Sequence, residues 1–137
     1  MKDFYMYVSS AVTPKHTQNS FTNFTITLPH SIDLKGDKWR VGVCDVTFGK
    51  PSTILPDFLL CSDLIQSNFD STLSLPIMRF IHPGLSDFHE SFTQIHYSTV
   101  RHKVLDSFNM YLRSVGTEIP SLATAVFFCT LHFKSDG

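Results

Sequence analysis

The chain has 137 residues and a formal net charge of −1, with 17% charged and 13% aromatic residues, and thirteen phenylalanines supply most of the aromatic share. A single domain of that length buries roughly two-thirds of its unfolded surface and needs no disulfide or metal to hold it. Its basic residues are spread from Lys2 to Lys134 without a cluster, which argues against specific nucleic-acid binding by a basic face.

Met1 to Val8 lacks the apolar stretch and small-residue cleavage site of a secretory leader, and Phe4 to Val8, aromatic and β-branched, reads as a first strand. A polar, aperiodic loop follows from Ser9 to Ser20. Phe21 to Leu28 then alternates, with Phe24, Ile26 and Leu28 against Thr25 and Thr27, and is expected to stop at Pro29-His30. The sequon Asn23-Phe24-Thr25 is read as chance in a chain without a leader. Ile32 and Leu34 lead through a Gly36-Asp37 turn into a strand from Trp39 to Phe48, where Gly42, opposite Trp39, Val41 and Val43, predicts close packing or a bulge.

Pro51 and Pro56 bound a short connection to a strand over Phe58 to Ile65. After a turn at Gln66 to Ser71, Leu73 to Ile81 forms the next strand, and Pro76 places it at an edge or bulge. Pro83-Gly84 opens a polar loop. Phe88 to Tyr97 reads as a further strand, Thr99 to Lys103 as a helical turn, and Val104 to Arg113 as an alternating strand. The last stretch, Leu122 to Lys134, carries Ala125, Phe127, Cys129, Leu131 and Phe133 on one row and Val126 and Phe128 on the other. It is too short for a membrane helix, which takes about 20 apolar residues, and predicts a central strand covered on both sides. A most-buried strand that comes last must enter a slot between earlier ones. The expected fold is therefore all-β, an eight-stranded antiparallel single jelly-roll sandwich spanning residues 1–137.

Catalytic and metal chemistry finds few footholds. Cys44, Cys61 and Cys129 are odd in number, lie in apolar runs and share no C-x-x-C spacing, so they read as small buried hydrophobes of a reducing compartment. His82, His89 and His96 are the best metal candidates, but seven residues of strand separate neighbours by about 23 Å and put them on opposite faces. The sequence contains no G-x-S-x-G and no phosphate-cradling glycine loop. Asp63 and Arg79, inside neighbouring apolar strands, either pair across a hairpin or face solvent. Phe4, Tyr5, Tyr7, Phe21 and Trp39 are read as core rather than as a stacking platform, because no Arg or Lys is interleaved with them. No catalytic residue, cofactor or metal site is expected.

The run Phe24-Thr25-Ile26-Thr27-Leu28-Pro29, followed by Ile32, Leu34, Gly36, Trp39 and Val41-Gly42-Val43, resembles the opening of the penton (minor capsid) proteins of Polinton/Maverick elements and the related adintoviruses. Cys61-Ser62-Asp63-Leu64-Ile65, Leu75-Pro76-Ile77-Met78-Arg79 and Leu131-His132-Phe133-Lys134 are similar to three later blocks of that family, in the family's order. Many of those proteins carry a long segment where Gly49 to Asp57 makes a short connection here. The resemblance implies a single jelly roll that forms homopentamers at the fivefold vertices of an icosahedral shell, beside a double jelly-roll major capsid protein.

The expected role is thus structural and not enzymatic. The expected partners are further copies of the chain and the major capsid protein, in a virion capsid made in the reducing cytoplasm or nucleus of the host cell. No membrane span is expected, and the residues of the pentamer interface cannot be named from the sequence. A monomeric β-sandwich that recognises glycan or peptide through the Ser9 to Ser20 and Pro83 to Asp87 loops is the alternative, and a cupin-like metalloenzyme is the third reading.

Overall fold

The computed structural model describes residues 2–34, 38–49, 55–65, 68–69, 74–83, 87–114 and 125–135. Its strands are β1 (Asp3–Ser9), β2 (Asn23–Asp33), β3 (Trp39–Phe48), β4 (Phe58–Ser62), β5 (Asn68–Phe69), β6 (Ser74–Leu75), β7 (Ile77–Ile81), β8 (Phe88–Ser91), β9 (Ser98–Thr99), β10 (Val104–Ser114) and β11 (Phe127–Ser135). No helix occurs among the described residues, so none there is long and apolar enough to cross a membrane.

One sheet runs β1-β11-β3, with β8 and β9 both on the far side of β3, and the other runs β2-β10-β4-β7. Every pairing is antiparallel. The pairs β1–β11, β2–β10, β3 with β8 and β9, and β4–β7 join the first half of the chain to the second in reverse order. The chain is therefore one long hairpin, with the small β5–β6 ribbon near its tip, and it rolls up because successive strands pass between the sheets. That topology is a jelly roll.

The final strand lies between β1 and β3, in the slot the sequence demanded. Its inward row of Phe127, Cys129, Leu131 and Phe133 is buried with Val41, Val43, Val46 and Phe48 of β3, and Phe24, Phe58, Leu60, Phe108 and Met110 complete the core from the second sheet. Phe127 is the hub, with its ring centroid 5.8 Å from those of Phe21 and Phe24 and 6.1 Å from that of Phe48.

Several expectations need correction. The outer row of β11 is open at its start, where Phe128 is 51% exposed, and only half-covered beyond it, at Thr130, His132 and Lys134. β2 does not stop at Pro29-His30 but runs to Asp33 as an edge strand. Between the pairs Thr27–Ser107 and Ile32–Leu105 its register shifts, and Pro29 sits in that irregularity, where no ladder donor is needed. β4 ends at Ser62, and Ile65 makes only an isolated bridge to Val100. The predicted strand Phe88 to Tyr97 is broken into β8 and β9, and Thr99 to Lys103 forms no helical turn. The cause of the break is visible at Gly42: a Cβ there would lie 2.4 Å from Ile95 Cγ2 and 2.9 Å from the His96 carbonyl oxygen, so the segment between β8 and β9 rests on the bare backbone of β3. Both alternatives foreseen for this glycine's strand occur, since β3 also bulges at Cys44, between the pairs Asp45–Thr130 and Val43–Leu131. Pro76 separates β6 from β7, which is an edge strand with its own bulge. The Gly36-Asp37 turn, Gln66, Ser67, Ser71, Leu73, Gly84 and Leu122 to Thr124 lie outside the described residues.

Candidate functional site

Alternation in β1 and β11 points Tyr5, Tyr7 and Phe128 away from the core, where they are 58%, 82% and 51% exposed. Beside them Tyr97 Oη lies 2.8 Å from His132 Nδ1, and His132 Nε2 lies 2.9 Å from Asp3 Oδ2. The Tyr5 ring stacks on the imidazole at 4.4 Å, and Lys134 Nζ sits 3.9 Å from the centre of the Tyr97 ring. Both imidazole nitrogens are engaged. Burial, reinforced by Cys44, Tyr5 and Asp3, pushes the Tyr97 hydroxyl above its ordinary value. This chain of bonds links β1, β11 and the segment before β9 across the outer face.

Another exposed aromatic lies diagonally across the sandwich, on the outside of the other sheet. There Phe80 of edge strand β7 is 50% exposed and pairs with Leu59 of β4. Arg79, the preceding residue, closes the open side between the sheets. Its guanidinium donates to the Gln94 carbonyl at 2.7 Å and lies 3.8 Å from the centre of the Phe92 ring.

The third feature is a cleft of about 490 Å³ at the opposite open side, between edge strands β1 and β2, walled by the loop after β1. Tyr7, Val8, Ile26 and Leu28 give it an apolar lining, and Lys15 and His16 stand at its rim; no lining residue is acidic. A smaller cavity of about 220 Å³ shares Lys15, His16, Asn19 and Thr25 and is otherwise polar. Asn19 holds the wall in place. Its amide accepts from the Thr25 N–H at 2.9 Å and donates to the Thr25 carbonyl at 3.1 Å, so it satisfies the edge of β2 as a neighbouring strand would. His16 Nε2 lies 2.7 Å from Thr27 Oγ1.

The residues singled out from sequence are scattered. His82 bonds Asp57, His89 Nδ1 lies 2.6 Å from Thr47 Oγ1, and the exposed His96 joins neither. Among the described residues no three His, Cys, Asp or Glu side chains form a group able to hold a metal ion. Asp63 and Arg79 do not pair with each other: the Asp63 carboxylate accepts from the Asn109 N–H at 2.9 Å, and Arg79 is held as above. Of the aromatics expected in the core, Phe21 is buried and Phe4 packs against it, stacked on Phe133 at 4.7 Å and tilted against Trp39 at 5.5 Å. Tyr5 and Tyr7 face outward instead, because the strand's alternation puts them on the opposite row. The three cysteines are free, with Cys61 and Cys129 buried and Cys44 half-buried. Burial pushes the Cys61 thiol up to about 11 against the lowering effect of Arg113, and raises Cys129 further.

Asn19, His16 and the Asp3–His132–Tyr97 chain were not anticipated. Their only signal in the sequence is a polar loop beside an edge strand, and single polar residues on the outer rows of β1 and β11. The sequence matches no protein-family model and no curated protein.

Proposed function

We propose that the chain is a structural subunit of an icosahedral shell: a penton-type minor capsid protein of the Polinton/Maverick kind. It closes into a homopentamer beside a double jelly-roll major capsid protein and catalyses nothing. The shell is a virion capsid assembled in the reducing cytoplasm or nucleus of the host, which suits three free thiols.

The observation that carries this reading is the division of the exposed aromatics among the described residues between two unlike surfaces. Tyr5, Tyr7 and Phe128 lie on one sheet at the β1 edge, and Phe80 lies on the other sheet at the β7 edge. A head-to-tail contact joins two different surfaces of one molecule and yields a ring when the rotation closes. A two-fold dimer would need only one. The jelly-roll topology and the four ordered blocks of family-like sequence support the same reading, although a fold alone does not define a function.

Light scattering of the purified chain, alone and with the major capsid protein, tests it. Five times the monomer mass in either setting is the expected result, and a sharp monomer at every concentration in both overturns it. The cleft beside the Ser9 to Ser20 loop favours the second reading, a monomeric sandwich that recognises glycan or peptide.

A further inference from the structure

We infer that the free edge of β1, with the cleft beside it, receives an extended peptide strand that carries a carboxylate. The hydrogen-bonding parity of β1 fixes which groups are available. Ser135 N–H donates to the Lys2 carbonyl and Ser10 N–H donates to the Phe127 carbonyl, both at 2.9 Å, so the even-numbered residues of this segment face β11. The backbone groups of Asp3, Tyr5, Tyr7 and Ser9 therefore point away from the sheet, and β1 has no strand on that side among the described residues. Such an edge is a template for a further strand.

The same parity holds on β2. Leu112 N–H donates to the Thr22 carbonyl at 2.9 Å, and the loop's Ser20 and Asn19 cover the edge at Asn23 and Thr25. The first uncovered pair of backbone groups belongs to Thr27, which lines the cleft opposite Tyr7. Pro29 follows and has no N–H, so β2 itself is a poor template beyond that point. The acceptor of a strand is β1, and β2 forms the far wall.

The lining selects the side chains. Alternate residues of an added strand point toward Val8, Ile26 and Leu28, which suits branched apolar groups. At the loop end, Lys15 and His16 meet the incoming chain with no acidic residue among those lining the cleft, and the polar cavity they share offers room for an anionic group. A carboxylate on the peptide meets the Lys15 ammonium. The assignment uses the backbone edge of β1; because Tyr7 lines the cleft and also belongs to the patch proposed for the ring, the amides of Ser9 and Thr27 are the readout that separates strand binding from assembly.

The test uses the full chain and a fluorescein-labelled hexapeptide alternating valine and threonine and ending in aspartate. Two controls accompany it: the same peptide ending in lysine amide, and one N-methylated at alternate residues. Anisotropy titrations are expected to show saturable binding of the aspartate peptide, with amide NMR shifts at Tyr7, Ser9 and Thr27. Neither control is expected to match it. Lys15→Glu, an exposed change that leaves the fold alone, is expected to weaken binding about fivefold. Lack of saturation, equal binding of either control, or shifts confined to other strands overturns the assignment. Shifts of the Ser9 and Thr27 amides with protein concentration alone assign the edge to a second copy and overturn it too.

Discussion

Replacing Phe127 by alanine removes the ring around which the aromatic core is arranged. The side chain is fully buried and approaches three other phenylalanine rings at 5.8 to 6.1 Å. A buried phenylalanine truncated to alanine costs about 3–5 kcal/mol in lost transfer energy and residual cavity. Against a total stability of about 5–15 kcal/mol this is a large loss. One residue further along the same strand, Phe128 already has half of its surface in water, and its truncation at monomer concentrations costs under about 1 kcal/mol. Urea unfolding followed by Trp39 fluorescence measures both, and the difference appears in the midpoint at an unchanged slope. Since a one-residue slip of register exchanges the two faces, equal losses, or a larger loss for Phe128→Ala, would refute the placement of β11.

Gly42→Ala puts a methyl group into Ile95 and the His96 carbonyl, and is expected to cost about 1–3 kcal/mol in thermal unfolding, as overpacking does. Ile95→Ala in the same chain is expected to restore part of that loss; no restoration would show that the backbone contact alone decides the cost. Alkylation at mildly alkaline pH is expected to modify Cys44 first and to reach Cys61 and Cys129 only after denaturant is added. The raised thiols also set a sign for base stability. The folded state keeps protons that the unfolded chain gives up, so stability is intact below pH 9 and falls as pH climbs from about 9.0 to about 11 through the range of Cys61. Stability rising over that range would contradict the burial of Cys61.

The central place of the last strand was legible because the strongest apolar row comes last. Ala125 to Phe133 can be satisfied only between strands already made, and that requirement led to a jelly roll. What a single sequence could not reveal is which outer-row side chains the chain itself covers. Phe128, Tyr5 and Tyr7 look like core residues by composition, yet the strand's period leaves them outside. Gly42 signalled a close approach but not its donor, and the visitor proved to be the segment that breaks Phe88 to Tyr97 in two. Pro29 was read as a stop because the bulge that accommodates it depends on β10, far along the chain. Asp63 and Arg79 were left either to pair or to face solvent; Asp63 is exposed, and the backbone groups of Asn109 and Gln94 engage the two side chains. The cleft arises from Asn19 imitating a strand against Thr25, a tertiary contact with no periodic signature.

Native mass spectrometry of two single-patch variants, Tyr7→Ser and Phe80→Ser, alone and mixed, reaches the head-to-tail claim most directly. Each variant keeps one of the two surfaces. In whichever setting the unaltered chain is pentameric, the account predicts monomers of each variant alone and one-to-one heterodimers that cannot grow when the variants are mixed. Pentamers of either variant, or a mixture that stays monomeric, would contradict it.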